Sequence, residues 1–119
     1  LYSASKFGVR GFSLAAAQEL RPHGVYLTLL LPDAVQTPML ELQKDFPEAA
    51  LTFSGSRFLT VADLEQVLFK VILPKRPLEV MLPRSRGWLA KISSLWPGLA
   101  LILGKSLSQR GRRRQQKLR

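Results

Sequence analysis

The chain has 119 residues, with 18 Lys and Arg against 8 Asp and Glu, giving a formal net charge of +10. At 46% hydrophobic and 22% charged it carries enough apolar material for a packed core, which excludes wholesale disorder, and its length allows one domain at most. The absence of Cys and the single His23 exclude a disulfide framework, thiolate metal sites and a multi-histidine metal site. No metal is expected, and any chemistry falls to Tyr, Lys, Ser or carboxylates.

The chain opens on Leu1 within a helical pattern and with no charged-then-apolar leader, which reads as the start of a fragment. From Ser3 to Leu20 the residues Phe7, Phe12, Leu14, Ala16 and Leu20 recur at helical spacings, and Pro22, His23 and Gly24 end the helix. Val25 to Leu31 is an apolar run with two β-branched residues and a Tyr, as in a strand buried on both faces of a parallel sheet; Pro32 and Asp33 close it.

Thr37 and Pro38 form a helix start, N-cap then first helical position, for a short helix to about Phe46. Pro47 to Leu59 reads as a loop or loose helix. Thr60 caps a helix from Val61 to about Leu73, Pro74 and Pro77 bracket a turn, and Leu78 to Leu82 is a second strand. Helix, strand, helix, strand is the alternation of an α/β protein, and two strands are too few to complete a parallel sheet.

Residues 1 to 79 hold eight basic and eight acidic side chains, whereas residues 80 to 119 hold ten basic and none acidic. A neutral body with a cationic end argues against a dedicated nucleic-acid-binding domain. Gly87 to Leu107 carries Trp88, Trp96 and a leucine-rich pattern interrupted by Pro97 and Gly98, too short for a spanning helix. Two readings stand level: an interfacial helix pair meeting anionic headgroups, or a C-terminal helix covering a cleft or dimer surface. Ser106 to Arg119 has six Arg or Lys and almost no apolar content, and disorder is expected there.

Tyr2 and Lys6 stand four apart on the first helix, so they project from one face, and an ammonium beside a phenol favours phenolate. By itself this spacing is common. Tyr2-Ser3-Ala4-Ser5-Lys6, followed by Phe7-Gly8-Val9-Arg10-Gly11-Phe12-Ser13, resembles the YxxxK helix of the short-chain dehydrogenase/reductase family. Val25 to Leu31 then resembles that family's sixth strand, and Pro32-Asp33-Ala34-Val35-Gln36-Thr37-Pro38 its P-G-x-V-x-T-P turn, with Asp33 where the family has Gly. The resemblance runs over about residues 1 to 83.

The resemblance implies the C-terminal part of a Rossmann-like, doubly wound parallel sheet over 1–83, with an apolar helical extension over 84–105 and a basic disordered tail over 106–119. It implies an oxidoreductase using NAD or NADP, moving a hydride between the nicotinamide and a carbonyl or alcohol. Tyr2 would be the catalytic acid or base, and Lys6 would hold the nicotinamide ribose and depress the Tyr2 pKa. Pro32, Val35 and Thr37 would meet the cofactor, while Met39, Leu40 and Phe46 would belong to a substrate lid suited to a lipophilic compound, with packing against the sheet as an equal reading. The family's phosphate loop, catalytic Ser and helix Asn would lie upstream of Leu1, so the chain alone is expected neither to bind a dinucleotide nor to turn over. The alternative is a non-catalytic module at a membrane surface. Expected partners are the small substrate, a second copy of the chain and a membrane surface at the C-terminal end, and the expected location is the cytoplasm, free or peripheral at a membrane.

Overall fold

The computed structural model describes the backbone of residues 2–118, and their side chains except those of Tyr2, Ser93, Ser94, Pro97, Leu99 and Ala100. In chain order the elements are α1 (Tyr2–Leu20), a 3-10 turn (Arg21–His23), β1 (Leu29–Pro32), α2 (Pro38–Gln43) and a 3-10 stretch (Pro47–Ser54). There follow α3 (Val61–Val67), a π-helical stretch (Leu68–Ile72), α4 (Leu73–Lys75), β2 (Glu79–Leu82), α5 (Arg84–Leu95) and α6 (Pro97–Leu118). The described residues are mostly helical with one two-stranded sheet, consistent with a partial α/β fold of the Rossmann-like type.

Two compact units share the chain, Leu1–Leu31 with Glu65–Met81, and Pro32–Leu64 with Leu82–Arg119. In the first, α1 stops where Gly24 takes φ 76°, a left-handed position that costs glycine nothing, and its N–H donates to Arg21 O at 3.1 Å. Leu29 N–H donates to Leu78 O at 2.9 Å, and the same offset recurs where Asp33 N–H meets Leu82 O at 2.8 Å, so the strands run parallel. Arg10 reaches from α1 to Glu79 with an Nε to Oε1 distance of 2.6 Å, which raises the guanidinium pKa through that hydrogen bond. Among the described residues of this unit only Ala17 is buried, and Phe7 and Phe12 on α1 are 66% and 75% exposed.

The first strand is shorter than the apolar run that encodes it. Val25 to Thr28 lie outside it, Val25 and Tyr26 are exposed, and Leu29 to Leu31 are only half-buried. A strand read as buried on both faces needs neighbours on both edges and layers on both sides, and among the described residues β1 has β2 on one edge alone.

Pro74 does not break its helix as the sequence suggests. The chain stays helical from Val61 to Lys75 because a π-helical stretch precedes Pro74, the wider spacing accommodating a residue that has no N–H to give. The turn comes one residue after Lys75, at Arg76 with φ 47°, whose N–H donates to Ile72 O at 2.8 Å. The Arg76 guanidinium lies 4.6 Å from the Tyr26 ring centroid, a cation–π contact.

The second unit packs around Ala34, Leu40 and Phe53, with Ala49 and Phe58 against them. Phe53 is fully buried and meets Phe58 edge to face, with centroids 5.9 Å apart. Val35 pairs with Leu59 in an isolated parallel bridge, fixed by Leu59 N–H to Ala34 O and Gln36 N–H to Leu59 O, both 2.8 Å.

The basic end is a correction to the sequence reading. Residues 106–118 continue α6, which docks on the 3-10 stretch, instead of forming a disordered tail. Two neutral residues among the arginines decide this. Gly111 is buried with no room for a side chain, since a Cβ there would run into Ala50 O. Gln115 is 4% exposed, and its Nε2 lies 2.8 to 3.0 Å from the carbonyls of Gln43, Lys44 and Phe46. These carbonyls lie at and just beyond the end of α2, so Gln115 ties α6 to the segment that leaves that helix. No described helix is long and apolar enough to cross a membrane.

Candidate functional site

The residues singled out by sequence fall into both units. Tyr2 opens α1 and Lys6 follows on the same helix, so their backbones are one turn apart, about 6 Å along the axis. The Tyr2 side chain lies outside the described residues; Lys6 is exposed.

Pro32, Val35 and Thr37 belong to the second unit, on the segment that leaves β1 and enters α2. Thr37 is the N-cap by position, with φ −143° and ψ 160°, and Pro38 follows at the start of the helix as the sequence predicts. Its hydroxyl makes no cap bond, however, and donates over a long 3.3 Å to Val35 O. That leaves an exposed hydroxyl beside an open depression of about 480 Å3, whose walls include Gln36, Pro38, Glu41, Lys44 and Phe58. Of the three residues read as a substrate lid, Leu40 is buried in the core cluster, while Met39 and Phe46 are 58% and 59% exposed.

Asp33, the departure from the family turn, is held by a network that sequence reasoning missed. Arg86 Nη1 donates to Asp33 Oδ2 at 2.5 Å and Arg86 Nη2 to Ser54 Oγ at 2.6 Å, and Ser54 Oγ donates to Leu51 O at 2.7 Å. The carboxylate is therefore neutralised within the unit. Asp33 also has no need of glycine's freedom, because among the described residues positive φ occurs only at Gly24 and Arg76. The available signal was a lone acid in an apolar turn, which requires a cation, and Arg84 and Arg86 stand just after the second strand. Nearby, Arg114 donates to Gly55 O and lies 4.7 Å from the Phe58 centroid.

Comparison with known proteins finds similarity over the first part of the chain. The model of the short chain dehydrogenase family matches residues 1–47. Over 40 residues the chain is 48% identical to a short-chain dehydrogenase/reductase of Armillaria gallica, covering 34% of this chain and 15% of that protein. It is 46% identical over 41 residues to an (S)-acetoin-forming diacetyl reductase of Staphylococcus aureus, covering 34% and 16%, and 41% identical over 56 residues to a 3-dehydrosphinganine reductase of Arabidopsis thaliana, covering 46% and 17%. No solved structure matches. The similarity to the short-chain dehydrogenase/reductase family thus lies in residues 1–47, a narrower span than the 1–83 over which the motifs suggest it. The alignments take in 15% to 17% of the length of these three relatives. Every residue named for catalysis, cofactor or lid lies within the matched stretch.

Members of this family use a nicotinamide dinucleotide. Within the first unit a phenol and an ammonium stand one helical turn apart, donor types that suit the ribose hydroxyls and ring of such a group. No glycine-rich loop for the pyrophosphate stands in residues 1–119.

Proposed function

We propose that this chain carries the proton-handling end of an NAD- or NADP-dependent oxidoreductase acting on a carbonyl or alcohol, with the phosphate-binding part of the fold supplied by sequence outside residues 1–119. The observation that carries the reading is the Tyr2 to Lys6 spacing on α1, within the stretch that matches the family. Positions four apart on a helix stand about 40° from each other around the axis, a spacing at which two side chains share one face. The ammonium of Lys6 favours the phenolate form of Tyr2, bringing a group of ordinary pKa about 10 toward neutrality. Tyr2 then gives its proton to a carbonyl oxygen, or takes one from an alcohol. The dinucleotide, when bound, supplies or accepts the hydride. Lys6 would hold the ribose hydroxyls, and Pro32, Val35 and Thr37 would flank the nicotinamide. The exposed Met39 and Phe46 favour a lipophilic substrate.

Two features support a larger whole. The sheet has two strands, each with an unpaired edge, and a two-stranded sheet is marginal alone. On α1, Phe7 and Phe12 lie open to water, where further structure would cover them.

The test is the complete polypeptide. Its sequence upstream of Leu1 should contain T-G-x-x-x-G-x-G and a Ser about a dozen residues before Tyr2, the spacing needed for a phosphate loop and a substrate hydrogen-bond donor. In that polypeptide Tyr2→Phe should reduce turnover by about 10² to 10⁴ with dinucleotide affinity nearly unchanged, and Lys6→Ala should weaken both. Retained turnover in Tyr2→Phe would refute the role given to Tyr2, and no turnover in the unaltered polypeptide would favour a non-catalytic module.

A further inference from the structure

We propose that the corner made by α5 and α6 is a docking surface for an anionic lipid bilayer, met at headgroup level and not crossed. The inference is independent of the oxidoreductase reading, because none of its residues belongs to the Tyr2 to Thr37 set.

The argument starts with α5. Trp88, Ile92 and Leu95 recur at spacings of four and three, so they share one face, and Trp96 follows at the helix end. Arg86, on another face, is committed to Asp33 and Ser54 in the body of the unit. Trp88, Leu95 and Trp96 are 71%, 81% and 70% exposed, and the first turns of α6 add Leu101 and Ile102 at 74% and 73%. The second unit thus leaves six large apolar side chains in water at one corner. Singly exposed apolar residues are ordinary, but a cluster of this kind marks an interaction site.

Next comes the charge. Gly111 and Gln115 fix which face of α6 turns inward, and at 100° per residue Arg113 stands opposite that face while Lys105 and Arg112 flank it on the side of Leu101. All three are exposed. The apolar corner therefore passes, along one helix, into a cationic face, in a segment whose 40 residues from 80 to 119 hold ten basic side chains and no acidic one.

That order selects the occupant. A second copy docking through the same surface would oppose two sets of cations, and duplex nucleic acid would satisfy the charge while leaving Trp and Leu in water. An anionic bilayer offers phosphate and carboxylate headgroups beside an acyl boundary, where indole rings sit favourably, and each cation near its surface strengthens binding about fivefold. No described helix could cross such a bilayer, so the contact is lateral.

Both tryptophans of the chain lie in this corner, so intrinsic emission reports on it directly. The 119-residue chain should show a blue shift with phosphatidylcholine vesicles containing about 30% phosphatidylserine at about 50 mM salt, lost at about 500 mM, and no shift with pure phosphatidylcholine. Brominated lipid should quench the shifted emission. Arg112→Gln with Arg113→Gln should weaken sedimentation with anionic vesicles by about tenfold or more. Trp88→Phe and Trp96→Phe singly should each retain binding, guarding against loss of fold. No shift with anionic vesicles, equal binding to neutral ones, or retention of a duplex oligonucleotide without vesicle binding would overturn the proposal. So would emission already blue-shifted without lipid in a chain of dimeric mass, which would give the corner to a second copy.

Discussion

Asp63 ties down the start of α3 in a reciprocal cap: its Oδ2 accepts from Thr60 N–H at 2.8 Å and Thr60 Oγ1 at 2.9 Å, while its own N–H donates to Thr60 Oγ1 at 3.2 Å. The Thr60 backbone N–H, then the Thr60 hydroxyl and the Arg57 guanidinium, hold the Asp63 carboxyl below its ordinary value of 3.8. A carboxyl whose folded pKa is depressed contributes stability above its unfolded pKa and loses it as pH falls through the folded one, so the cap weakens from about pH 4 downward. A carboxyl-detected NMR titration should place Asp63 below 3.8, and Thr60→Val should return it part of the way, since the backbone donor remains. The Asp33–Arg86 pair is the other residue-scale device. Its side chains are 22% and 28% exposed, so screening is incomplete, and Arg86→Met should cost about 1–2 kcal/mol at low salt by leaving a half-buried carboxylate unpaired. Asp33→Gly with Arg86→Met should recover part of that loss, as measured by a denaturant double-mutant cycle.

Among the elements, α6 depends most on tertiary contact. Read alone, a segment with six Arg or Lys between Ser106 and Arg119 favours solvation, and what holds it is the close approach at Gly111 and the carbonyls gathered by Gln115. Gly111→Ala sets two effects against each other. Alanine gains about 1 kcal/mol in helix propensity, but its Cβ would run into the Ala50 carbonyl, a backbone group that cannot swing aside, and overpacking of that kind costs about 1–3 kcal/mol. The clash should win. Amide exchange should then quicken across Pro47–Ser54, while helix content stays equal or rises.

For the molecule as a whole, the two units differ in how much they bury. The second has a core around Leu40 and Phe53, whereas the first leaves Phe7 and Phe12 in water and buries only Ala17 among its described residues. Apolar dye should therefore bind the 119-residue chain strongly, and exchange protection should be low in α1 and higher around Phe53. A single sharp melt with full protection of α1 in the 119-residue chain would show the first unit to be self-sufficient.

Local chemistry was enough for several features. The helix through Leu20 and its stop at Gly24, the Thr37-Pro38 and Thr60 starts, the second strand and the Tyr2 to Lys6 spacing are all written in residues a few positions apart, because periodicity, capping and turn preference act over one or two turns. Partners distant in sequence decided the rest. The ordering of 106–118 rests on carbonyls about 70 residues away, the tolerance of Asp33 on an arginine 53 residues away, and the passage of a helix through Pro74 on a π-helical register. The length of β1 was likewise set by the neighbour it pairs with, since a strand extends only where another backbone accepts and donates its hydrogen bonds.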